Sequence, residues 1–187
     1  MSRIKTRKTT FNNLFVLERI PHSDKRGSFT RLFCDASLPI ALSDKHITQV
    51  NHSFTHKKGI VRGLHFQYPP HSEVKIVTCL KGEIYDVVVD LRKGSSTFLQ
   101  HYSIILKEGD DLSLFIPEGF AHGFQTLSNN CELLYFHTAA YEPKAEGGIN
   151  ALDSTLEIDW PLKFEETSEK DHQIPPLPKD FAGLVLR

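Results

Sequence analysis

Apolar residues recur along most of the chain with a period of two or in short runs. From Phe11 to about Tyr141, the runs are bounded by clusters of Gly, Pro, Asn, Asp or Ser. The clearest runs are KIVTCL, EIYDVVVDL, HYSIIL, DLSLFI and CELLYFHTA. Alternation of apolar and polar positions is typical of β-strands that bury one face. The pattern therefore predicts that strands make up most of this region.

The spacing of the runs favours an antiparallel arrangement. Neighbouring runs lie roughly 8 to 12 residues apart, which suits a sandwich or a barrel and is too short for crossover helices. We predict an all-β fold, a jelly-roll β-barrel with short peripheral helices. Its 187 residues are expected to form a single domain, residues 1–187, with a C-terminal extension from about residue 162.

Two segments favour short helices outside the strands. The segment CDASLPIALSDKH is compatible with a short helix broken at Pro39, and FEETSEKDH is compatible with a single helical turn. Nearer the C-terminus, the prolines of PPLPKD carry no backbone N–H donors. That stretch predicts an extended arm over the surface.

Charge and cysteine content narrow the classes of function. The chain has 22 Lys and Arg against 23 Asp and Glu, a formal net charge of -1. No net field attracts nucleic acid, so an anionic ligand must meet local cations. Cys34, Cys79 and Cys131 are odd in number and far apart, which predicts reduced thiols. Because no apolar run approaches about 18 residues, we expect a soluble, cytoplasmic protein that does not enter a membrane.

The segment GIVRGLHFQYPPHSEVK places charged residues where the pattern predicts burial. Arg62 and Lys75 have the stronger case for function, because isolated buried cations are costly and usually meet an anion. On a regular strand, Arg62 and His65 point to opposite faces, and a bulge at Gly63 is needed to bring them together. If the strand of Lys75 lies next to the strand of His65 in one sheet, the two side chains can lie side by side. His65 taken alone is equally consistent with a core histidine.

Two later segments add further polar candidates. In FIPEGFAHGF, a turn at Pro117 and Gly119 delivers His122 between apolar flanks, or it closes a hairpin with His122 bonded to backbone. In CELLYFHTAAY, Tyr135 and His137 share a strand face. Taken singly, Tyr135 is also consistent with a core phenol whose hydroxyl has a structural partner.

A metal site is one interpretation of these residues. Jelly rolls of the cupin type, the fold predicted here, commonly carry a metal on histidines and a glutamate. This chain offers His65, Glu73 and His122 at comparable places, but Gln67 stands where that pattern has its middle histidine. An amide oxygen is a weak ligand for such an ion, and nearby cations repel it. We favour a site without metal or cofactor, and a metal-dependent cupin enzyme is the alternative.

Proton transfer next to a carbonyl is the favoured chemistry. His65 is a candidate base, Tyr135 a candidate proton donor, and Lys75 a cation for a developing oxyanion. Arg62 and Arg26 are candidate clamps for an anionic group. A histidine accepts a proton near neutral pH, whereas a phenol with a pKa of about 10 keeps its proton until a carbanion forms.

Several motifs occur in one order along the chain. They are D-x-R-G, Q-x-N, R-G-L-H-x-Q, K-I-V, G-E-x-x-D-V-x-V-D-x-R, S-S-T-F and P-E-G-F-A-H-G-F. The combination runs from about Asp24 to Pro161 and resembles the dTDP-4-dehydrorhamnose 3,5-epimerase family. The resemblance implies a homodimeric jelly roll, with an N-terminal strand exchanged between subunits, that uses no metal or coenzyme. It also implies inversion of C3 and C5 of a dTDP-linked 4-keto-6-deoxyhexose, on the way to dTDP-L-rhamnose.

The resemblance also implies a role for individual residues. It makes His65 the base and Tyr135 the acid, while Lys75 steadies the enolate oxygen. Asp171 matches the aspartate that pairs with the base histidine and orients its ring. The positions that match contacts to the nucleotide or sugar are Arg26, Gln49, Asn51, Arg62, His122, Glu146 and Lys170.

The chain departs from the family pattern near the expected ligand groove. The changed positions are Arg31, Glu73, Phe136 and Ala140. These changes can alter the preference for the nucleotide base and the sugar. The residues proposed to transfer protons are unchanged. The nearest alternative is a single-site 3- or 5-epimerase of another nucleotide-linked 4-keto-6-deoxy sugar. A non-catalytic sugar-binding jelly roll is a third interpretation.

Overall fold

The computed structural model describes residues 3–37 and 45–186, and strands dominate both ranges. The strands are β1 (Ile4–Lys8), β2 (Phe15–Arg19), β3 (His22–Asp24), β4 (Gly27–Phe29), β5 (Gln49–Thr55), β6 (Val61–Gln67), β7 (Lys75–Lys81), β8 (Glu83–Asp90), β9 (His101–Lys107), β10 (Leu112–Ile116), β11 (Phe120–Thr126), β12 (Cys131–His137) and β13 (Glu146–Gly148). Short 3-10 turns lie at Asp35–Ser37 and Ser154–Leu156, and helix α1 spans Glu169–His172. The prediction of an all-β chain with short peripheral helices is confirmed.

Two antiparallel sheets carry the fold. The larger has six strands in the order β1-β2-β10-β7-β12-β5, and the smaller has five in the order β13-β6-β11-β8-β9. Strands β3 and β4 pair with each other as a separate two-stranded sheet. Within residues 3–37 and 45–186, no strand pair joins the two large sheets. They face each other as a sandwich, and hydrogen bonds do not close the predicted barrel.

An apolar core fills the space between the sheets at one end. Alternate residues of β8 point to opposite sides, as the period-two pattern predicts. Ile84 and Val88 pack in the inter-sheet core with Val77 of the larger sheet. Val87 and Val89 pack instead on the outer face of the smaller sheet. Strand β8 therefore buries both of its faces, which explains why its apolar run is nearly continuous.

The outer face of each sheet is covered by chain from outside the strands. The C-terminal segment packs Trp160, Phe164 and Leu184 against the smaller sheet. On the larger sheet, Phe33 stacks on Phe136 with ring centroids 5.5 Å apart. The extension from about residue 162 thus lies on the sheet that carries β6 and β11.

The predicted helical segments have different outcomes. FEETSEKDH contains α1, whose N-cap Ser168 accepts a hydrogen bond from the Asp171 N–H, so this prediction is confirmed. The first segment contains the 3-10 turn Asp35–Ser37, whereas Pro39 lies outside the described residues. The proline-rich arm has neither helix nor strand. Its Leu177 packs against the outer cluster, the apolar residues around Val87, Val89 and Leu184 on the outer face of the smaller sheet. In the described part of the chain, every helix is too short or too polar to cross a bilayer.

Candidate active site

A cavity of about 900 Å³ opens between the two sheets. Strands β5, β7 and β12 line it from the larger sheet, and β6 and β11 line it from the smaller sheet. Residues 166–168, Lys170 and Asp171 line it from the C-terminal segment. The cavity brings together most of the residues predicted from sequence: Asn51, Arg62, His65, Lys75, His122, Tyr135, Lys170 and Asp171. Its volume is ample for a small organic ligand.

A bulge in β6 turns Arg62 and His65 toward the same cavity. In the pairing of β6 with β11, His65 lies opposite His122. Arg62 lies opposite Phe124, so β6 has one more residue than β11 between these pairs. Gly63 lies in this step with a φ of 109°, and a Cβ on it would be 2.6 Å from the His122 carbonyl oxygen. A bulge at Gly63 was the condition for Arg62 and His65 to meet, and the structure has it. Only glycine fits there without displacing backbone.

His65 is bound by a carboxylate from the C-terminal helix. Its Nε2 lies 2.6 Å from Oδ1 of Asp171, and the Asp171 side chain is only 5% exposed. The other oxygen of Asp171 accepts a hydrogen bond from the Gly63 N–H at 3.2 Å. Burial alone would raise the pKa of Asp171, but the bonds from His65, Gly63 and Ser168 outweigh burial and lower this pKa. Asp171 therefore stays ionised and orients the His65 ring.

Tyr135 lines the cavity from the opposite sheet. Its hydroxyl lies 3.1 Å from Oγ of Ser53, and its ring lies between those of His122 and His137, with centroid distances of 6.3 and 6.1 Å. Burial raises the pKa of the Tyr135 phenol well above its ordinary value. The phenol is therefore protonated at neutral pH and can act as a proton donor.

Lys75 reaches the cavity from the larger sheet and is 9% exposed. From the sequence, Lys75 could meet His65 if their strands were neighbours, but β7 lies in the larger sheet and β6 in the smaller. The lysine contacts His65 across the sandwich, with Nζ 3.5 Å from the His65 carbonyl oxygen. Its countercharge is Glu73, 3.0 Å away. Lys75 thus combines a buried cation with a position beside the candidate base.

Arg62 differs from Lys75 in its burial. The expectation of a buried cation is wrong for Arg62, because its side chain is exposed where it lines the cavity. Its guanidinium donates a hydrogen bond to the Phe54 carbonyl oxygen at 3.4 Å. An exposed guanidinium keeps donors available for an anionic ligand.

His122 has a side-chain partner that the sequence did not reveal. Its Nε2 lies 2.7 Å from Oδ1 of Asp86, and both side chains are buried. The alternative in which His122 bonds backbone is not supported by this contact. The pair lies on neighbouring strands β11 and β8. The cavity therefore has a second imidazole held by a carboxylate.

The donor atoms of the proposed metal ligands face other side chains. His65 and His122 direct Nε2 at Asp171 and Asp86, respectively. Glu73 is shared between an ammonium and an imidazole, 3.0 Å from each. Within residues 3–37 and 45–186, no group of three His, Cys, Asp or Glu side chains is arranged to hold a metal ion.

Three predicted ligand contacts do not line the cavity. Gln49 lies next to it, with Nε2 3.1 Å from Oδ1 of Asn51. Glu146 also lies next to it, 2.6 Å from Nζ of Lys170. Arg26 lies apart on the β3–β4 hairpin, where it pairs with Asp24 at 2.7 Å. Within one chain, the structure therefore does not bring Arg26 to the other candidate residues.

The departures from the family pattern lie mostly away from the cavity. Phe136 was expected at the groove, which is wrong, since it stacks on Phe33 at the outer face of the larger sheet. Arg31 approaches Cys34, and the Ala140 carbonyl accepts a hydrogen bond from Gln67. Glu73 is the exception, because it contacts a residue of the cavity wall. Of the four positions that depart from the family pattern, Glu73 is therefore the one that contacts the cavity wall.

Three side chains that support the candidate residues were not predicted from the sequence. Ser53, Asp86 and Ser168 hold Tyr135, His122 and Asp171, respectively. Ser53 continues the period-two series of Asn51 on β5, and Ser168 stands where an N-cap is expected before α1. Asp86 interrupts an otherwise apolar strand, which is a signal for a buried polar partner.

The chain is similar to known epimerases over most of its length. The family model described as dTDP-4-dehydrorhamnose 3,5-epimerase matches residues 8–179. A dTDP-4-dehydrorhamnose 3,5-epimerase from Salmonella typhimurium (strain LT2) is 40% identical over 170 residues, which are 90% of this chain and 92% of that protein.

Solved structures share the fold of this chain. A dTDP-6-deoxy-D-glucose-3,5-epimerase from Legionella pneumophila, in complex with dTDP-4-keto-L-rhamnose, has a TM-score of 0.85 at 36% identity and covers 91% of each chain. A 3'-monoepimerase from Streptomyces bikiniensis, a double mutant in complex with dTDP, has a TM-score of 0.84 at 29% identity. That match covers 90% of this chain and 85% of the other.

Proposed function

The chain belongs to the dTDP-4-dehydrorhamnose 3,5-epimerase family, and on that premise we propose that it inverts C3 and C5 of dTDP-4-dehydro-6-deoxy-D-glucose. It is an isomerase, and the product is dTDP-4-dehydro-L-rhamnose, a precursor of dTDP-L-rhamnose. One observation carries this function: an imidazole held by a carboxylate and a protonated phenol line one cavity from facing sheets. Inversion needs a base and an acid on opposite sides of the sugar ring, which this arrangement supplies.

Each inversion consists of two proton transfers. His65 removes the proton from the carbon next to the C4 ketone, and the electron pair moves onto the C4 oxygen as the enolate forms. Tyr135 then donates its proton to the other face of that carbon. His65 releases its proton to solvent, and the Tyr135 phenolate takes one back, so the chain is restored. Asp171 stabilises the imidazolium that exists between these steps.

Cationic side chains are available to stabilise the negative charges of the enolate and of the diphosphate. Lys75 is the group for the developing C4 oxyanion, because a buried ammonium interacts strongly with charge in a site of low polarity. Arg62 and Lys170 are the candidates for the diphosphate. The remaining predicted contacts to nucleotide or sugar are Gln49, Asn51, His122 and Glu146.

Turnover in heavy water tests the proposed function. The substrate dTDP-4-dehydro-6-deoxy-D-glucose is incubated with the protein, and deuterium in the sugar is located by proton NMR. We expect deuterium at both C3 and C5, because each proton passes through a group that exchanges with solvent. Deuterium at a single carbon would instead assign the chain to the 3- or 5-epimerases, a function for which the similarity to a 3'-monoepimerase provides support.

The proposed assembly is a homodimer. Because the N-terminal strand β1 pairs with β2 of its own chain, we propose the β3–β4 hairpin, and not this strand, as the element that serves the cavity of the partner. All eight residues of this hairpin, 22–29, are exposed, and Phe29 is 74% exposed. Its sheet pairs with neither large sheet. An exposed aromatic on a projecting hairpin suits contact with a second copy. This arrangement would also bring Arg26 to a cavity that it does not line in its own chain.

Complementation between variants of Arg26 and His65 tests whether the hairpin serves the partner subunit. Arg26→Ala and His65→Ala are expressed separately and together, and activity is measured with sedimentation analysis of the same samples. Mixed dimers carry one intact site, so the mixture should recover about a quarter of the wild-type activity. If the hairpin serves its own chain, or if the protein sediments as a monomer, the mixture should stay as inactive as its components.

The proposed location is the cytoplasm, and the proposed organisation is a single domain. All three cysteines lie in the described part of the chain and are free thiols, which suits a reducing compartment. Burial raises the pKa of Cys79 to about 12, so this thiol packs as an apolar group. A single domain is supported by Asp171, because the C-terminal extension provides this residue of the cavity.

A further inference from the structure

His137 lies on the cavity wall but has no role in the proton transfers described above. It occupies the inner-face position that follows Tyr135 on β12 and pairs in register with Lys75 of β7. The two rings on β12 stack at an angle of 26°. A buried imidazole beside the proton donor and the enolate cation is placed to influence the site.

A continuous line of hydrogen bonds passes through His137. The Tyr141 N–H donates to Oε1 of Gln49 at 3.0 Å. Nε2 of Gln49 donates to Oδ1 of Asn51 at 3.1 Å. Nδ2 of Asn51 lies 3.4 Å from Nε2 of His137, and Nδ1 of His137 lies 3.0 Å from Oε2 of Glu73.

Both ends of this line determine the direction of every bond in it. A backbone N–H can only donate, so the Tyr141 end requires the Gln49 oxygen. That choice leaves the Gln49 amide nitrogen to donate to Asn51, and the Asn51 nitrogen to donate to His137. At the other end, an ionised Glu73 can only accept. His137 must therefore accept at Nε2 and donate at Nδ1, which defines one neutral tautomer.

The charges around Glu73 favour the same state. The side chains of Glu73, Lys75 and His137 are only 8 to 11% exposed. Burial alone would raise the pKa of Glu73, but the hydrogen bond from His137 and the charge and hydrogen bond of Lys75 act against burial, and this pKa is lowered. With Glu73 ionised and Lys75 charged, a neutral His137 leaves this buried group without net charge. A charged His137 would add an uncompensated cation.

We propose that His137, as the neutral Nδ1–H tautomer held by Glu73, is a positioning residue that sets the orientation of the Asn51 amide in the cavity. Asn51 lines the cavity and is exposed there, so its second N–H and its remaining oxygen lone pair are free to meet a ligand. The inference deepens the proposed function, because Asn51 is one of the proposed substrate contacts.

The tautomer is tested without substrate or turnover. The wild-type protein is labelled with ¹⁵N-histidine, and the His137 ring is assigned through its contacts with the Tyr135 ring. At mildly alkaline pH, we expect the ring-nitrogen shifts of an Nδ1–H imidazole. An Nε2–H imidazole or an imidazolium at this position would overturn the inference. The result holds even if heavy-water turnover fails, so the two failures are distinguishable.

A matched pair of variants tests the positioning role. Asparagine at position 137 places an amide donor where Nδ1 was, so His137→Asn keeps the bond to Glu73 and loses the acceptor for Asn51. Glutamine places an amide oxygen where Nε2 was, so His137→Gln keeps that acceptor. We expect KM to be roughly three- to tenfold higher for the asparagine variant than for the glutamine variant, since one hydrogen bond is at stake.

The comparison of kcat and KM separates positioning from packing. Both variants lose the ring that packs on Tyr135, so a change in kcat common to both reports that packing. Only the difference in KM between them reports the bond to Asn51. Equal KM values in the two variants, whether raised or unchanged, would contradict the positioning role.

Discussion

His65→Asn is expected to lower kcat by roughly 10²- to 10⁴-fold, because a positioned general base contributes about that factor to proton abstraction. Deuterium uptake from heavy water should fall by the same factor at both carbons, since one base starts both inversions. Asparagine retains a polar group near Asp171 and cannot remove a proton from carbon at neutral pH. The measurements are steady-state kinetics and NMR of the recovered sugar.

A second histidine provides the control for this variant. The His71 side chain is exposed, and the backbone N–H and carbonyl of His71 make hydrogen bonds, so His71→Asn should leave kcat within about twofold. Titration with dTDP should show similar affinity for wild type and both variants, because neither side chain is a proposed phosphate contact. Deuterium uptake at an undiminished rate in His65→Asn would exclude this residue as the base.

Tyr135→Phe is expected to separate hydrogen exchange from inversion. His65 can still form the enolate and return a solvent-derived proton to the face from which it was taken. Inversion should slow by roughly 10²-fold or more, because no donor remains on the opposite face. The recovered substrate should therefore contain deuterium at C3 or C5 with its original configuration. Mass spectrometry and NMR coupling constants measure the two outcomes.

Tyr85 offers a control with the same chemical change. Its hydroxyl donates to Oγ of Ser103 at 2.8 Å, and its ring packs against the outer cluster of the smaller sheet. Tyr85→Phe should therefore reduce stability by about 1 kcal/mol and leave the ratio of exchange to inversion unchanged. If Tyr135→Phe inverts both carbons as fast as it exchanges them, the phenol is not the acid.

The alternation of apolar and polar residues predicted most of what is local in this protein. It assigned the strands and placed Tyr135 and His137 on one face of β12 and Phe136 on the other, as the structure has them. The pattern also identified a bulge at Gly63 as the condition for Arg62 and His65 to meet, because a regular strand directs them to opposite faces, and the structure has this bulge. These features depend on the backbone geometry of a few consecutive residues.

The contacts that the candidate residues make with distant parts of the chain could not be predicted from the local pattern. Lys75 reaches His65 across the sandwich and not along one sheet, and Phe136 lies at the outer face although the motif suggested the groove. The separation of Arg26 from the cavity was equally invisible in the motif that contains it. The resemblance named the pairing of His65 with Asp171, but their separation of 106 residues gave no local signal for it.

By itself, then, the amino-acid sequence determined the strands, the face on which each side chain lies, and the set of groups able to move protons. Only the tertiary structure decided which of these groups meet, including Asp86 with His122 and Glu73 with both Lys75 and His137. The physical reason is that a period-two pattern sets the direction of a side chain within its own strand. The order of strands in a sheet and the pairing of sheets depend on contacts between distant parts of the chain.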